Sequence, residues 1–123
     1  MNSIKEKAAH FLKLISETKI EEAFELYVSK NFIHHNPYFK ADAQSLQKAM
    51  KEDAKANPEK ELKILRSLED EDLVAVHSYV KQYPDDNGFV LVHFFKFSED
   101  RIIELWDLGQ KIPDQSINEI GML

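Results

Sequence analysis

The 123-residue sequence predicts an α+β domain in which helices precede a curved antiparallel sheet. In the first half, apolar residues recur at helical spacing behind residues that commonly cap helices. The second half changes to segments rich in Val, Ile, Leu and Phe, joined by short turns, as is typical of consecutive antiparallel strands. These segments are 61–69, 73–82, 89–98 and 101–110. The length fits one domain that spans residues 1–123.

Three helices are predicted from capping residues and apolar stripes. Ser3 and Glu6 have the Ser-x-x-Glu spacing of a capping box, and an apolar stripe follows them. Thr18 is expected to cap the second helix. Asp42 is expected to cap a third, which should end near Asn57.

Composition and charge argue against several classes of protein. The net charge of −6, without a basic stripe, argues against nucleic-acid binding, because neutralisation of phosphates dominates that affinity. Cysteine is absent, which excludes disulfides, thiol catalysis and zinc–thiolate sites and fits a cytoplasmic location. No apolar run approaches the ~20 residues of a membrane span, and charges interrupt the first fifteen residues. We therefore expect neither a membrane nor a nucleic-acid partner.

One ionisable residue interrupts the apolar row of each of the last three predicted strands: His77, His93 and Asp107. An unpaired polar group costs several kcal/mol to bury, on the order of 2–7. Taken singly, each residue is more often a satisfied core residue than a functional one. Three on adjacent strands indicate instead that the side chains meet each other or a small ligand on the concave face of the sheet.

This convergence depends on the register of the hairpins. A strict two-residue turn at Glu99–Asp100 would pair His93 with Trp106, so that His93 and Asp107 would face opposite ways. A three-residue loop or one β-bulge would restore a common face. The same question of parity applies to His77 and His93, because the length of the loop between their strands is not fixed by the sequence.

The segment FIHHNP, residues 32–37, has two interpretations. Residues 29–41 break the helical period, and Pro37 disfavours a helix through Asn36. The segment could fold over the open end of the sheet and bring His35 and Asn36 to the site, with His34 pointing away from His35. Alternatively, Asn36–Pro37 is simply a turn in which Asn bonds its own backbone.

Several short motifs together resemble SnoaL-like proteins of the nuclear-transport-factor-2-like superfamily. They are His35-Asn36-Pro37, the strand 74–78 (VAVHS), and Trp106-Asp107 with Gln110. The resemblance spans nearly the whole chain. It implies a cone in which N-terminal helices pack on a strongly curved antiparallel sheet around an internal pocket. It also implies a homodimer through the outer face of the sheet, for which two apolar sets are candidates: Val90, Val92 and Phe94, and Val74, Val76 and Val80.

The family takes its name from a polyketide cyclase that closes a ring by aldol condensation without metal or cofactor. The resemblance implies that Asp107 is the general acid/base. His77 or His93 would orient it or donate to an oxyanion, although many relatives carry an acid at the position of His93. The ligand would be a small apolar or carbonyl-containing molecule. The expected substrate contacts are His35, Asn36, Tyr79, Leu91, Phe95, Trp106 and Gln110.

Three other interpretations use the same residues. An Asp–His arrangement could activate water for hydrolysis of a small epoxide or ester. The domain could instead be a non-catalytic module that binds a small ligand or forms a dimer. A metal site is disfavoured, because the candidate ligands show no HxH or HExxH spacing. We expect neither a metal nor another cofactor.

Overall fold

The computed structural model describes residues 2–123 and contains three helices and five strands. None of its helices is long and apolar enough to cross a membrane over these residues. The strands form one sheet in the order β1-β5-β4-β3-β2. The elements are α1 (Ile4–Ser16), α2 (Ile20–Tyr27), β1 (Val28–His34), α3 (Ala43–Ala56), β2 (Glu61–Asp70), β3 (Leu73–Lys81), β4 (Phe89–Ser98) and β5 (Arg101–Lys111).

The predicted α+β architecture is confirmed, and the sheet is open and mixed. The strands predicted in the second half form β2 to β5, paired in antiparallel fashion along the chain. The expectation of an all-antiparallel sheet is wrong, because β1 pairs parallel to β5. Residues 29–41 show no helical period in the sequence and contain most of β1, in which only Val28, Phe32 and His34 of seven residues are buried. An edge strand whose hydrogen bonds come from a distant segment has little local signal.

The predicted capping residue is found at two of the three helices. The Ser3 hydroxyl accepts a hydrogen bond from the Glu6 N–H, and the Glu6 carboxylate accepts one from the Ser3 N–H, so the predicted capping box is present. Asp42 accepts from the Ser45 N–H at 2.9 Å and caps α3. The prediction for Thr18 is wrong: the residue before α2 is Lys19, whose side chain makes no capping hydrogen bond. Thr18 has a positive φ of 64° in the turn that follows α1.

Replacement of the α1 cap is a direct test of this local prediction. Ser3→Ala is expected to destabilise the fold by about 1 kcal/mol, because it leaves the Glu6 N–H without its partner. Urea unfolding of the two proteins measures the difference. Ser98→Ala, at an exposed position at the end of β4, is the control and should have little effect. Equal midpoints for Ser3→Ala and wild type would contradict the capping role.

The hydrophobic core lies between the helices and one face of the sheet, which we call the inner face. The inner face carries the buried residues Val74 and Val76 of β3, Phe95 and Phe97 of β4, and Leu105 of β5. The ring of Phe11 in α1 lies 5.7 Å from that of Phe24 in α2 and 5.8 Å from that of Phe95. The opposite face, which we call the outer face, carries Ala75, Phe94, Trp106 and Leu108.

The β4–β5 hairpin contains both a two-residue turn and a bulge. Ser98 pairs with Arg101, and the turn residues Glu99 and Asp100 have φ values of 51° and 67°, the left-handed region that tight hairpin turns require. The register then shifts at Ile103, because Phe97 pairs with Ile102 but Lys96 pairs with Glu104. This extra residue reverses the parity of the rest of β5.

Candidate functional site

His93 of β4 and Asp107 of β5 lie directly opposite each other on the inner face. The bulge at Ile103 is the reason, since a regular ladder from the same turn would have paired His93 with Trp106. Opposed residues of an antiparallel pair have Cβ atoms about 4.5–5.5 Å apart, close enough for their side chains to interact. The predicted convergence therefore holds for these two residues.

Burial gives His93 unusual electrostatics. Its side chain stacks on Phe95 with ring centroids 5.8 Å apart, and it is 8% exposed. Burial lowers the pKa of His93 from 6.5 to about 4; the Asp107 carboxylate opposes this shift, and the Lys60 ammonium adds to it. At neutral pH the imidazole is therefore uncharged. Among residues 2–123, its Nδ1 atom is buried without a hydrogen-bond partner.

The FIHHNP segment reaches this pair through Asn36. The Asn36 amide nitrogen donates to Asp107 Oδ2 at 3.1 Å, and the amide oxygen accepts from the Tyr38 N–H at 2.9 Å. The second bond is the local turn of the structural interpretation, and the first is the site contact of the functional one. A single side chain thus does both, and the turn fixes the orientation of the amide that faces Asp107.

His34 was not predicted to contribute, yet it supports the site. It is buried, its Nδ1 accepts from the Asn36 N–H at 3.1 Å, and its Nε2 donates to the Lys40 carbonyl oxygen at 2.5 Å. These bonds fix the tautomer with the proton on Nε2 and anchor the loop that carries Asn36. The alternation of Phe32 and His34 on one face was the available sequence signal, but it required recognition of β1.

The expected convergence of His77 with the other two residues is wrong. The β3–β4 register pairs His77 with Val92 and places Val76 opposite His93, so His77 lies on the outer face. Its Nδ1 accepts from the Arg66 guanidinium on β2. The loop between β3 and β4 sets this parity, and a shift by one residue would have exchanged His77 for Val76.

Most of the predicted substrate contacts lie on the outer face, where two of them, His35 and Trp106, line a groove that Asp107 also borders. Tyr79 is on the outer face, where its hydroxyl donates to the Asn87 carbonyl oxygen at 2.9 Å. His35 stacks on Trp106 with ring centroids 5.0 Å apart and pairs with Glu104 at 2.6 Å on the same face. The residues placed on the outer face, contrary to expectation, are His35, Tyr79, Trp106 and Gln110.

Two of the predicted apolar contacts are on the inner face. Leu91 pairs with Ser78 and Gly109, next along the strand from His93. A Cβ atom at Gly109 would lie 2.5 Å from Leu91 Cδ2, so the absence of a side chain there makes room for Leu91. Phe95 is fully buried beneath the His93 ring. An internal pocket bounded by these residues stays a prediction.

No metal site is formed by residues 2–123, where no three carboxylate or imidazole side chains converge closely enough to hold an ion. The arrangement instead offers a carboxylate, a neutral imidazole and an oriented amide. A carboxylate can accept a proton, and neutral N–H groups can donate hydrogen bonds to an oxygen on which charge develops.

Comparison with solved structures identifies the fold. A SnoaL-like polyketide cyclase from Agrobacterium tumefaciens is 15% identical, with a TM-score of 0.73, over 90% of this chain and 94% of that one. A SnoaL-like protein of unknown function from Burkholderia thailandensis is 12% identical, with a TM-score of 0.74, over 89% and 98%. An NTF2-like protein of unknown function from Cytophaga hutchinsonii is 10% identical, with a TM-score of 0.72, over 89% and 92%.

Sequence comparison adds no relative to this set. No family model matches the chain, and no curated protein matches it. Identities of 10–15% at these TM-scores show a common fold and leave the activity open. The chain therefore has the α+β fold of SnoaL-like and NTF2-like proteins, with three helices packed on an open, curved sheet.

Proposed function

We propose that the chain is a small-molecule enzyme of the isomerase, cyclase or lyase type that abstracts a proton next to a carbonyl group without a cofactor. The observation that carries the proposal is the His93–Asp107 pair on the inner face, with Asn36 bonded to Asp107. A buried imidazole that lacks a partner costs stability, and such costs are concentrated at functional sites.

Each polar group has a role in the proposed step. Asp107 takes the proton from the carbon, the electron pair of the C–H bond moves into the carbon skeleton, and the carbonyl oxygen gains the charge of an enolate. Asn36 holds one oxygen of the Asp107 carboxylate and so orients the other toward the substrate. His93 is neutral at physiological pH, and a neutral imidazole can donate a hydrogen bond to the enolate oxygen without giving up its proton.

The fold supports this proposal only in part. One structural neighbour is described as a SnoaL-like polyketide cyclase, which is the activity class that the resemblance implied. Because one fold hosts many unrelated activities, the argument rests on the residues of the site. The carboxylate and imidazole also suit activation of water, so hydration or hydrolysis of a small epoxide or ester is the alternative outcome of the test.

Exchange of hydrogen for deuterium tests the proposed step without knowledge of the natural substrate. Acetone and cyclohexanone in D₂O are incubated with the wild-type protein, and loss of the α-proton signal is followed by NMR. We expect exchange faster than the protein-free rate. Styrene oxide and 4-nitrophenyl acetate, followed in parallel, test the hydrolytic alternative. Ketone binding with exchange only at the protein-free rate would overturn the proposal in favour of a binding module.

We propose that the outer face forms a homodimer interface. The apolar side chains there are partly or largely exposed, with Leu68 at 72%, Leu108 at 64%, Leu73 at 40% and Phe94 at 37%. Leu73, Phe94 and Leu108 also line a groove of about 350 Å³, together with His35, Trp106 and Asp107. Exposed apolar patches of this kind are typical of interfaces, and a twofold axis would set the same patch of each copy against the other. Val74, Val76 and Val80, expected as a second outer patch, belong instead to the buried inner face.

A charge placed in this patch should separate the two copies. Leu108→Glu is expected to convert a wild-type dimer into a monomer, because it would bury two carboxylates near the twofold axis. Light scattering at micromolar concentration measures the mass. Leu26→Glu makes the same change at an exposed position on α2 and should leave the dimer intact. A monomeric wild-type protein would contradict the interface.

A further inference from the structure

A second polar cluster, centred on Asp53, joins α3 to the β2–β3 end of the sheet. Asp53 Oδ1 accepts from the Asn57 amide at 3.1 Å and from the Gln82 amide at 3.0 Å, and Oδ2 pairs with the Lys60 ammonium. The side chains of Lys60 and Asp53 are 21% and 30% exposed. Two neutral amides and one ammonium thus hold the carboxylate on the sheet side of α3.

This cluster continues the inner-face row of β3. Val76 of that row faces His93, Ser78 is the next inward residue, and Gln82 follows the strand in the same alternation. Lys60 precedes Glu61, which pairs with Lys81, so the antiparallel register places Lys60 beside Gln82. The cluster and the His93–Asp107 pair therefore lie on the same face of the sheet.

Like Nδ1 of His93, two polar atoms on this row are buried without a hydrogen-bond partner from residues 2–123. Ser78 Oγ and Gln82 Oε1 are buried and lack hydrogen-bond partners within the described part of the chain. Buried polar atoms are nearly always hydrogen-bonded in folded proteins, to protein, water or ligand. Ser78 lies on this row between His93 and Gln82, and Gln82 belongs to the Asp53 cluster, so the unpartnered atoms follow the row from one cluster to the other.

We propose that Lys60 supplies the positive charge that stabilises the enolate oxygen in the reaction of the Asp107–His93 site. This inference rests on the proposed function. Proton transfer to Asp107 neutralises its carboxylate and moves the negative charge to the substrate oxygen. His93 and Asn36 can donate hydrogen bonds to that oxygen but carry no charge at neutral pH. In the sheet order, Asp107 on β5 lies to one side of His93 on β4, and Lys60, just before β2, lies to the other. Charge that moves from Asp107 across His93 therefore moves toward the side of the ammonium.

The field of Lys60 reaches the site in its resting state. The Lys60 ammonium lowers the pKa of His93 and the Asp107 carboxylate raises it, so both charges act on the imidazole. The ion pair with Asp53 orients Lys60, and Asn57 and Gln82 hold Asp53. The two amides make the ion pair part of a fixed network, which is what electrostatic preorganisation requires.

Two substitutions separate an electrostatic role of Lys60 from a structural one. Lys60→Met and Asp53→Asn both break the same ion pair. Lys60→Met removes the cation and is expected to raise the pKa of His93, measured from the pH dependence of its ring-proton NMR shifts. Asp53→Asn leaves the cation without its counterion and is expected to lower that pKa further. If both shift it in the same direction, or neither shifts it, the proposal is overturned; Asp53→Asn alone carries the test if Lys60→Met does not fold.

Binding of an enolate mimic provides a second measurement that does not require turnover. 4-Nitrophenolate carries its charge on an oxygen next to a conjugated carbon, and its absorbance reports the ionised form. In the Asp107→Asn background, which resembles the protonated acid, Lys60→Met is expected to weaken phenolate binding about tenfold, and Lys60→Arg to preserve it. Equal affinity with and without the Lys60 charge overturns the inference. If these binding results hold while the wild type exchanges no α-protons, the oxyanion site stands and the proposed function fails.

Discussion

Asp107→Asn is expected to lower the rate of α-hydrogen exchange by about 10²–10⁴-fold, the usual contribution of a general base. The substitution keeps the shape of the side chain and its position opposite His93, and an amide oxygen can still accept the hydrogen bond from Asn36. An amide cannot take a proton from carbon at neutral pH. The loss should therefore appear in the rate of exchange and leave ketone affinity nearly unchanged, as measured by NMR titration.

Glu104 offers a matched control on the same strand. It is an acid three residues before Asp107, but its carboxylate pairs with His35 on the outer face. Glu104→Gln removes the same charge and should leave exchange at the wild-type rate. An equal loss in both variants would indicate a general effect of charge or folding, and an undiminished rate in Asp107→Asn would remove Asp107 from the mechanism.

Glu104 and Asp107 lie on opposite faces of the sheet, and this difference shows the limit of prediction from the sequence. Alternation along 89–98 correctly predicted the buried row of β4, including His93 and Phe95, because a half-buried strand repeats every two residues. The same rule could not place Asp107, since its side depends on the extra residue at Ile103. A bulge is specified by the fit of the whole hairpin to the core, and one residue decides which face an acid takes.

Long-range pairing limited the prediction in the same way on the other strands. His77 and Val76 differ by one position, and only the register with β4 puts Val76 toward the core and His77 toward Arg66. His34 could not be predicted as a site residue, because its position depends on the pairing of β1 with β5, more than sixty residues later in the chain. The turn at Asn36 was predicted correctly because Asn–Pro in a loop has a local signal, independent of register, whereas its contact with substrate stays a prediction.

Acidification is expected to destabilise the protein through His93, by an amount that approaches about 3 kcal/mol. An ordinary histidine has a pKa of 6.5, whereas His93 in the fold has a pKa of about 4. Each pKa unit corresponds to about 1.4 kcal/mol. Because the folded-state pKa is the lower one, the unfolded chain binds the proton first as the pH falls. The contribution of neutral His93 to the free energy of unfolding is thus fully present above about pH 6.5 and is lost progressively toward about pH 4.

His93→Leu isolates this contribution from the other groups that titrate in the same range. Leucine has a similar volume, removes the unpartnered Nδ1 and cannot be protonated, so the variant should be at least as stable as wild type at neutral pH. Urea unfolding of both proteins from about pH 7.5 to about pH 4.5 should show a gap that widens in favour of the variant as the pH falls. Parallel pH dependence in the two proteins would mean that the His93 imidazole is not held neutral by burial. The proposed neutral donor to the enolate oxygen would then be a cation, and the charge that we assign to Lys60 would have a second source at His93.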